Sequence, residues 1–429
     1  MFSLKKAAAG VLSCTMLLGS LVISGCSDSN TSGTQSTDNT SNGSSTAHQG
    51  EIKDISSVEL VKDMKIGWSL GNTLDGGNES NRGQDPGSIE KSWGNPDTTK
   101  EMIDEIKKAG FNVLRVPTTW DWSTGEAPEY KISDEWFARV KEIVDYGMEN
   151  DMYVILNIHH ETWHDPLEKN YEAASDRLKK IWTQIGNYFK DYDEHLIFEG
   201  LNEPRVRNSD EEWNGGSDAT REVVNKLDAD FVSTIRSLDG NNKLRHLMIP
   251  GYAASSSEVA LKALKIPEND DKLIVSVHAY IPYNFALADN KRSNKWVACK
   301  EGFTNDIDNL ADMLKTLFTD KGQAVIIGEF GARSKDNDKY RAEWAKYYVT
   351  KMKTVGVPCV WWDNGAFIGS GELFGLLDRR NLEWRYPLLK DALISASNGE
   401  YTVDGLKSDT AILDELKKDI AQSKNSSAE

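Results

Sequence analysis

The sequence predicts a (β/α)8 barrel, an α/β fold, on two observations. Eight short apolar runs rich in Val and Ile alternate with amphipathic helical stretches within about 330 residues, which is how strands buried on both faces and their crossover helices read. Polar residues also collect at the C-terminal end of seven runs, and a barrel gathers those ends at one mouth. The rival fold, an open doubly wound sheet, calls for a Gly-rich phosphate loop after its first strand. Gly67-Trp68-Ser69-Leu70-Gly71-Asn72 lacks that spacing.

In chain order the predicted strands are Met64–Asn72, Phe111–Thr118, Met152–His160 and Leu196–Pro204. His246–Ala253, Lys272–Tyr280, Ala324–Gly331 and Pro358–Gly365 complete the eight. Each run is short, near-continuously apolar and bounded by polar or turn residues. Between them, Thr99–Ala109, Asp134–Glu149, Ser175–Lys190, Asp218–Leu238 and Asn305–Lys321 carry apolar residues at helical spacing. Asp409–Gln422 places Ile412, Leu413, Leu416 and Ile420 on one helical face, with Asp409 as N-cap. The strand ends supply Asn72, Arg115, His159 and His160, Asn202 and Glu203, His278 and Tyr280, Glu329, and Asp363 with Asn364.

The N-terminus lies outside this pattern. Lys5 and Lys6 precede an apolar run from Ala7 to Ile23 that is too short for a membrane span and ends in Ser24-Gly25-Cys26. Small residues just before a cysteine resemble the bacterial lipoprotein signal, which implies lipidation of Cys26. Residues 27–50 are mostly Ser, Thr, Asn and Gly with no aromatic residue, a composition that cannot offset its ordering entropy. Such a tether would hold a domain roughly 25–30 Å from its anchor. The expected organisation is a signal peptide over 1–25, a lipidated cysteine and linker over 26–50, a catalytic barrel over 51–395 and a tail with a short helix over 396–429. The expected location is the outside of a bacterial cell, with the membrane touched only through the lipid.

Acidic residues outnumber basic ones by 67 to 50, a net charge of −17. Such a surface argues against nucleic acid and anionic membrane as partners and suits a neutral or cationic ligand. Thirteen tryptophans offer flat apolar surfaces to a core or to a ligand. Trp136, Trp182 and Trp344 fall inside helices and are expected in the core. Trp93, Trp120, Trp122, Trp163 and Trp296 fall in loops after strands at the mouth, where each is a candidate to stack on substrate, Trp120 and Trp296 foremost. Cys299 and Cys359 remain after the leader, and the sequence leaves open whether they pair.

Two carboxylates stand out. Glu203 ends the fourth run and Glu329 the seventh, and strands four and seven face one another across an eight-stranded barrel. Paired carboxylates over a cleft are the machinery of glycoside hydrolysis, one as acid/base and one as nucleophile. Arg115 can hold Glu329 ionised, Tyr280 can donate to it, and Asn202 can bind a sugar 2-hydroxyl. Glu203 must hold a proton, so a less cationic neighbourhood is expected, with His278 as its partner. Glu199 reads as a buried ion-pair partner. His159-His160 beside Glu161 could suggest a metal, but adjacent strand residues point opposite ways and no companion ligand motif follows, so no metal is expected.

Leu201-Asn202-Glu203-Pro204, Ile327-Gly328-Glu329-Phe330-Gly331, Arg115-Val116-Pro117, Asn157-Ile158-His159-His160-Glu161, Val277-His278-Ala279-Tyr280, Gly67 through Asp75 and Trp361-Trp362-Asp363-Asn364-Gly365 together resemble glycoside hydrolase family 5. The nearest resemblance is to its bacterial endoglucanase branch, subfamily 4, and it runs from about Leu60 to Leu389. The resemblance implies a retaining hydrolase without cofactor, Glu203 as acid/base, Glu329 as nucleophile, and Arg115, His159, Asn202, His278, Tyr280 and Trp362 around them, with Trp362 as the floor under the cleaved sugar. His159 rather than His160 is expected to face that sugar. The implied activity is a monomeric endo-β-1,4-glucanase acting on a β-glucan. Xyloglucan or mixed-linkage glucan are alternative substrates, mannan is less favoured, and a non-catalytic glycan-binding lipoprotein is the reading from another class.

Overall fold

The computed structural model describes residues 48–289, 293–414 and 416–418. The leader 1–25, Cys26, residues 27–47 of the linker and residues 419–429 lie outside the described residues.

Eight parallel strands close into a barrel in sequence order: β1 (Ile66–Leu70), β2 (Val113–Val116), β3 (Tyr153–Asn157), β4 (Leu196–Glu199), β5 (Leu247–Ser255), β6 (Leu273–His278), β7 (Ala324–Phe330) and β8 (Cys359–Asp363). Closure is made by β1 against β8, where Trp68 pairs with Trp361. The helices are α1 (Ser57–Asp63), α2 (Pro86–Glu90), α3 (Lys100–Ala109), α4 (Asp134–Glu149), α5 (Tyr171–Tyr188), α6 (Asp218–Ser237), α7 (Glu258–Ala263), α8 (Tyr283–Ala286), α9 (Asn305–Leu317), α10 (Asp338–Thr354), α11 (Pro387–Asn398) and α12 (Val403–Ser408). A two-stranded antiparallel ribbon, β9 (Leu377–Asp378) with β10 (Glu383–Trp384), follows β8.

Seven of the predicted strands run longer than the observed ones because their ends have already left the sheet as loops, whereas β5 continues past its predicted end at Ala253 to Ser255. The predicted barrel boundary at residue 395 cuts α11, which stops only at Gly399 in the left-handed region. That conformation suits glycine and ends helices. Of the predicted tail helix, residues 411–414 and 416–418 are helical.

Side chains inside the barrel are sorted by height. Low in it, Val113, Ile155, Ile197, Met248, Ile274, Ile326 and Val360 pack with Leu60 and Val61 of α1 and with Met64 just after it, so that α1 plugs the floor. Two residues further along β2, β3, β4 and β6, strand alternation brings Arg115, Asn157, Glu199 and Ser276 inward, all buried. The barrel is therefore apolar below and hydrogen-bonded above. Trp136, Trp182 and Trp344 are fully buried, as expected. Cys299 and Cys359 are free thiols.

Asp228 of α6 is fully buried, and neither carboxylate oxygen has a hydrogen-bond partner. Burial alone pushes its carboxyl well above the usual range. The folded protein thus keeps a proton that the unfolded chain releases near pH 4, so stability falls as pH rises above that value. Asp228→Asn is expected to melt higher than wild type at pH 8, with the gap closing toward pH 4. Parallel pH series of thermal melts test this; a gap independent of pH would contradict it.

Candidate active site

Arg115 stands at the centre of the mouth and donates to three partners. Its Nε reaches Glu199 Oε2 at 2.8 Å, Nη1 reaches Glu329 Oε1 at 2.6 Å and Nη2 reaches Asn202 Oδ1 at 2.7 Å. Glu199 also accepts from Asn157 Nδ2 at 2.9 Å and Ser276 Oγ at 2.6 Å, so it is the buried ion-pair partner that strand parity suggested. Because Arg115 takes the Asn202 oxygen, the amide is oriented with its Nδ2 left as a free donor. Gly328 leaves room for this cluster: a Cβ there would fall 2.9 Å from Ser276 Oγ and 3.2 Å from His278 Nε2.

Glu329 receives a second hydrogen bond, from Tyr280 Oη to Oε2 at 2.8 Å. His278 Nδ1 lies 2.8 Å from Glu203 Oε1 and 3.6 Å from Glu329 Oε2. One ligand atom each from Glu203, His278 and Glu329 fall within 4.8 Å of one another. The mouth therefore brings the two predicted carboxylates face to face.

The neighbourhood of Glu203 corrects one expectation, because it is more cationic than a proton donor suggests. Burial pushes its carboxyl up, but His278 and then Arg205, whose Nη1 lies 3.3 Å from Oε2, bring it below the ordinary range. His278 moves the other way: burial lowers it, while Glu329 and Glu203 outweigh that and raise it. His278 Nε2 has no partner.

The two histidines after β3 correct another expectation. β3 ends at Asn157, so strand parity no longer governs the next residues. His159 Nε2 and His160 Nδ1 both approach Asp75 Oδ2, at 3.9 and 3.8 Å. The rings meet edge-on at 4.3 Å. His159 is buried and held well below its ordinary value, chiefly by burial. It lies parallel to the Trp362 ring at 5.7 Å, and Trp362 rests against Gly71, where a Cβ would fall 2.7 Å from its Cη2. Asn72 follows with a left-handed backbone, φ 55°. Its N–H donates to Asp75 Oδ2 and its carbonyl accepts from Asn95.

Trp120 and Trp296 are not stacking surfaces. Trp120 is fully buried, with its indole N–H on the Asn157 carbonyl at 2.9 Å and its ring against Phe137. Trp296 is buried with its N–H on the Phe303 carbonyl at 2.9 Å, beside Tyr347. Both loops fold their rings into the barrel wall. Among the described residues the exposed tryptophans are Trp93, 42% exposed beside His160 at 5.5 Å, and Trp213, 62% exposed. The Arg205 guanidinium stacks 4.3 Å from the Trp213 centroid. Trp213 was missed because it sits in a polar stretch, Asp210-Glu211-Glu212-Trp213-Asn214. Its spacing of ten residues from Glu203, in the loop leaving β4, was the usable signal.

A (β/α)8 barrel with two carboxylates facing across its mouth, one bound to arginine and tyrosine and the other to histidine, defines a glycoside hydrolase. The sequence matches the family described as Cellulase (glycosyl hydrolase family 5) over residues 77–367. Endoglucanase B of Neocallimastix patriciarum is 49% identical over 347 residues, 80% of this chain and 72% of that protein. A broad-specificity endoglucanase of family 5, subfamily 4, from Ruminococcus champanellensis, solved with bound cellotriose, superposes with a TM-score of 0.77 at 43% identity, covering 80% of this chain and 99% of its own. A family 5 lichenase from Caldicellulosiruptor sp. F32 superposes with a TM-score of 0.76 at 43% identity, covering 81% and 97%. The chain belongs to glycosyl hydrolase family 5 and is an enzyme of its endoglucanase kind.

Proposed function

We propose that the protein hydrolyses internal β-1,4-glucosidic bonds of β-glucans with retention of configuration. The observation that carries this is the approach of Glu203 and Glu329 to within 4.8 Å at their ligand atoms. Retaining enzymes hold their carboxyl groups about 5–5.5 Å apart, whereas inverting ones leave roughly 6.5–9.5 Å for a water. In the first step a Glu329 oxygen attacks the anomeric carbon while Glu203 protonates the glycosidic oxygen, so the C–O bond to the leaving sugar breaks and a glycosyl ester forms. In the second, Glu203 takes a proton from water, the water oxygen attacks the same carbon, and Glu329 leaves as carboxylate. The proton that Glu203 gives is shared with His278 across their 2.8 Å hydrogen bond. Trp362 lies under the sugar, and the free Nδ2 of Asn202 meets its 2-hydroxyl, a contact that strengthens in the transition state.

Proton-nuclear resonance of the first anomer released from cellopentaose tests the stereochemistry; an initial α-anomer would overturn retention. Substrate breadth is read with carboxymethyl-cellulose, xyloglucan, mixed-linkage glucan and glucomannan, using Glu203→Ala as control. Fastest release from mixed-linkage glucan would favour the lichenase reading that the Caldicellulosiruptor neighbour suggests. No hydrolysis at all would return the binding-protein reading.

Two further outcomes follow from the acid/base side. Arg205→Leu removes a cation from Glu203, so the alkaline limb of kcat/KM is expected to move to higher pH; an unmoved limb would remove Arg205 from the proton balance. Trp213→Ala is expected to raise KM about two- to tenfold, the worth of one stacked ring, with kcat little changed on a soluble polymer. Secretion and surface anchoring are also proposed, on the leader and Cys26 alone; absence of label after growth on tritiated palmitate would reject lipidation.

A further inference from the structure

We propose that His48, Asp151 and His195 form a binding site for a divalent transition-metal ion of the zinc class on the floor of the barrel, at the end opposite the catalytic mouth. The three come from separate places: the first described residues, the turn between α4 and β3, and the turn between α5 and β4. Only the fold joins them, which is why the sequence offered no ligand motif.

The orientation of the two imidazoles carries the proposal. Asp193 takes both Nδ1 atoms, Oδ2 lying 2.8 Å from His48 and Oδ1 lying 3.0 Å from His195. That leaves both Nε2 atoms turned toward one oxygen, Asp151 Oδ1, at 3.3 Å and 3.8 Å. An Nδ1 held by Asp193 leaves Nε2 as the open position of each ring, so two imidazole nitrogens and a carboxylate oxygen converge. Either protons or a cation must resolve that convergence, and an ion satisfies all three at once. Adjacent ligands on a tetrahedral zinc ion with bonds of 2.0–2.1 Å lie about 3.3 Å apart, so the spacings of the two imidazoles to Asp151, 3.3 and 3.8 Å, are close to that of a zinc site, and all three ligand atoms lie within 4.8 Å of one another.

The surroundings also suit an ion. A carboxylate on the second nitrogen of each ligating histidine fixes the ring and raises its basicity. Tyr153 stacks on His195 at 4.8 Å, and the two imidazoles lie 4.2 Å apart. Asp151 is three-quarters exposed, which gives an entry path and room for a water as fourth ligand. Two imidazoles with one carboxylate match zinc, cobalt or nickel rather than magnesium or calcium, which take oxygen ligands. The ion would staple the segment around Gln49, which bridges to Tyr192 while Gly50 N–H donates to the Asp191 carbonyl, onto the barrel floor.

The test is a titration of the metal-free full-length protein with Zn²⁺ and Co²⁺, followed by calorimetry, visible absorption and thermal melting. One equivalent is expected to bind, with cobalt bands of a tetrahedral site and a raised Tm, while Mg²⁺ and Ca²⁺ leave the Tm unchanged. His48→Gln and His195→Gln should each weaken binding about tenfold or more and abolish the cobalt bands. Glu329→Gln, which disturbs the histidine–carboxylate cluster at the mouth, should leave binding as in wild type. Binding lost in Glu329→Gln but kept in His48→Gln would place the ion at the mouth and overturn the proposal. A lower Tm in His48→Gln with no response of either protein to zinc would mean that a protonated imidazole alone bridges Asp151 and Asp193, and would overturn it too.

Discussion

Glu329→Gln is expected to reduce kcat on a soluble β-glucan by at least about 10⁴-fold while oligosaccharide binding stays close to wild type. The amide has the shape of the carboxylate and keeps an oxygen for Arg115 or Tyr280, but it is a poor nucleophile. What disappears is the negative charge that stabilises the oxocarbenium-like transition state and then bonds to its carbon. Single-turnover kinetics and equilibrium binding of cellotetraose separate the two effects. A variant retaining near-wild-type turnover would mean that another group attacks the sugar.

Arg115→Met is expected to be the most damaging substitution for folding, at about 3–5 kcal/mol, because it leaves Glu199 as an uncompensated charge in the barrel interior. Arg115 is fully buried and serves Glu199, Glu329 and Asn202 with three different nitrogens. Lysine brings one compact charge and cannot meet three acceptors in a plane, so Arg115→Lys should recover part of the stability and little of the rate. Denaturant unfolding and kcat/KM measured on both variants check this. Full activity in Arg115→Lys would show that charge rather than geometry is what the site needs.

Most of the barrel was legible because a strand buried on both faces must be apolar along its length, and each of the eight runs was. The facing carboxylates Glu203 and Glu329 and the arginine bound to Glu329 were legible because they end such runs, where residue order and barrel position correspond. Legibility failed where a chain leaves the sheet. Parity applies to β3 only as far as Asn157, so the shared approach of His159 and His160 to Asp75 could not be read from it. Loop position said nothing about whether a ring turns outward, so Trp120 and Trp296 were misplaced and Trp213 was passed over. The cluster of His48, Asp151, Asp193 and His195 depends on three turns meeting under the barrel, which no local pattern encodes.

The hydrogen-bonded layer at the top of the barrel has a consequence for inhibition. With its carboxylates ionised, the group formed by Arg115, Glu199 and Glu329 has one positive and two negative members, whose partners are drawn from within the barrel. On the proposed mechanism Glu203 and His278 hold one proton between them and add no net charge, so the resting enzyme presents one unbalanced negative charge beside Glu329. In the double displacement proposed above, an oxocarbenium-like transition state balances it for an instant, and esterification of Glu329 abolishes it. Positively charged sugar mimics, such as iminosugars ringed with an ammonium, should accordingly compete for the resting enzyme and be ignored by the glycosylated one, so they would trap the catalyst before its first step and never between the two.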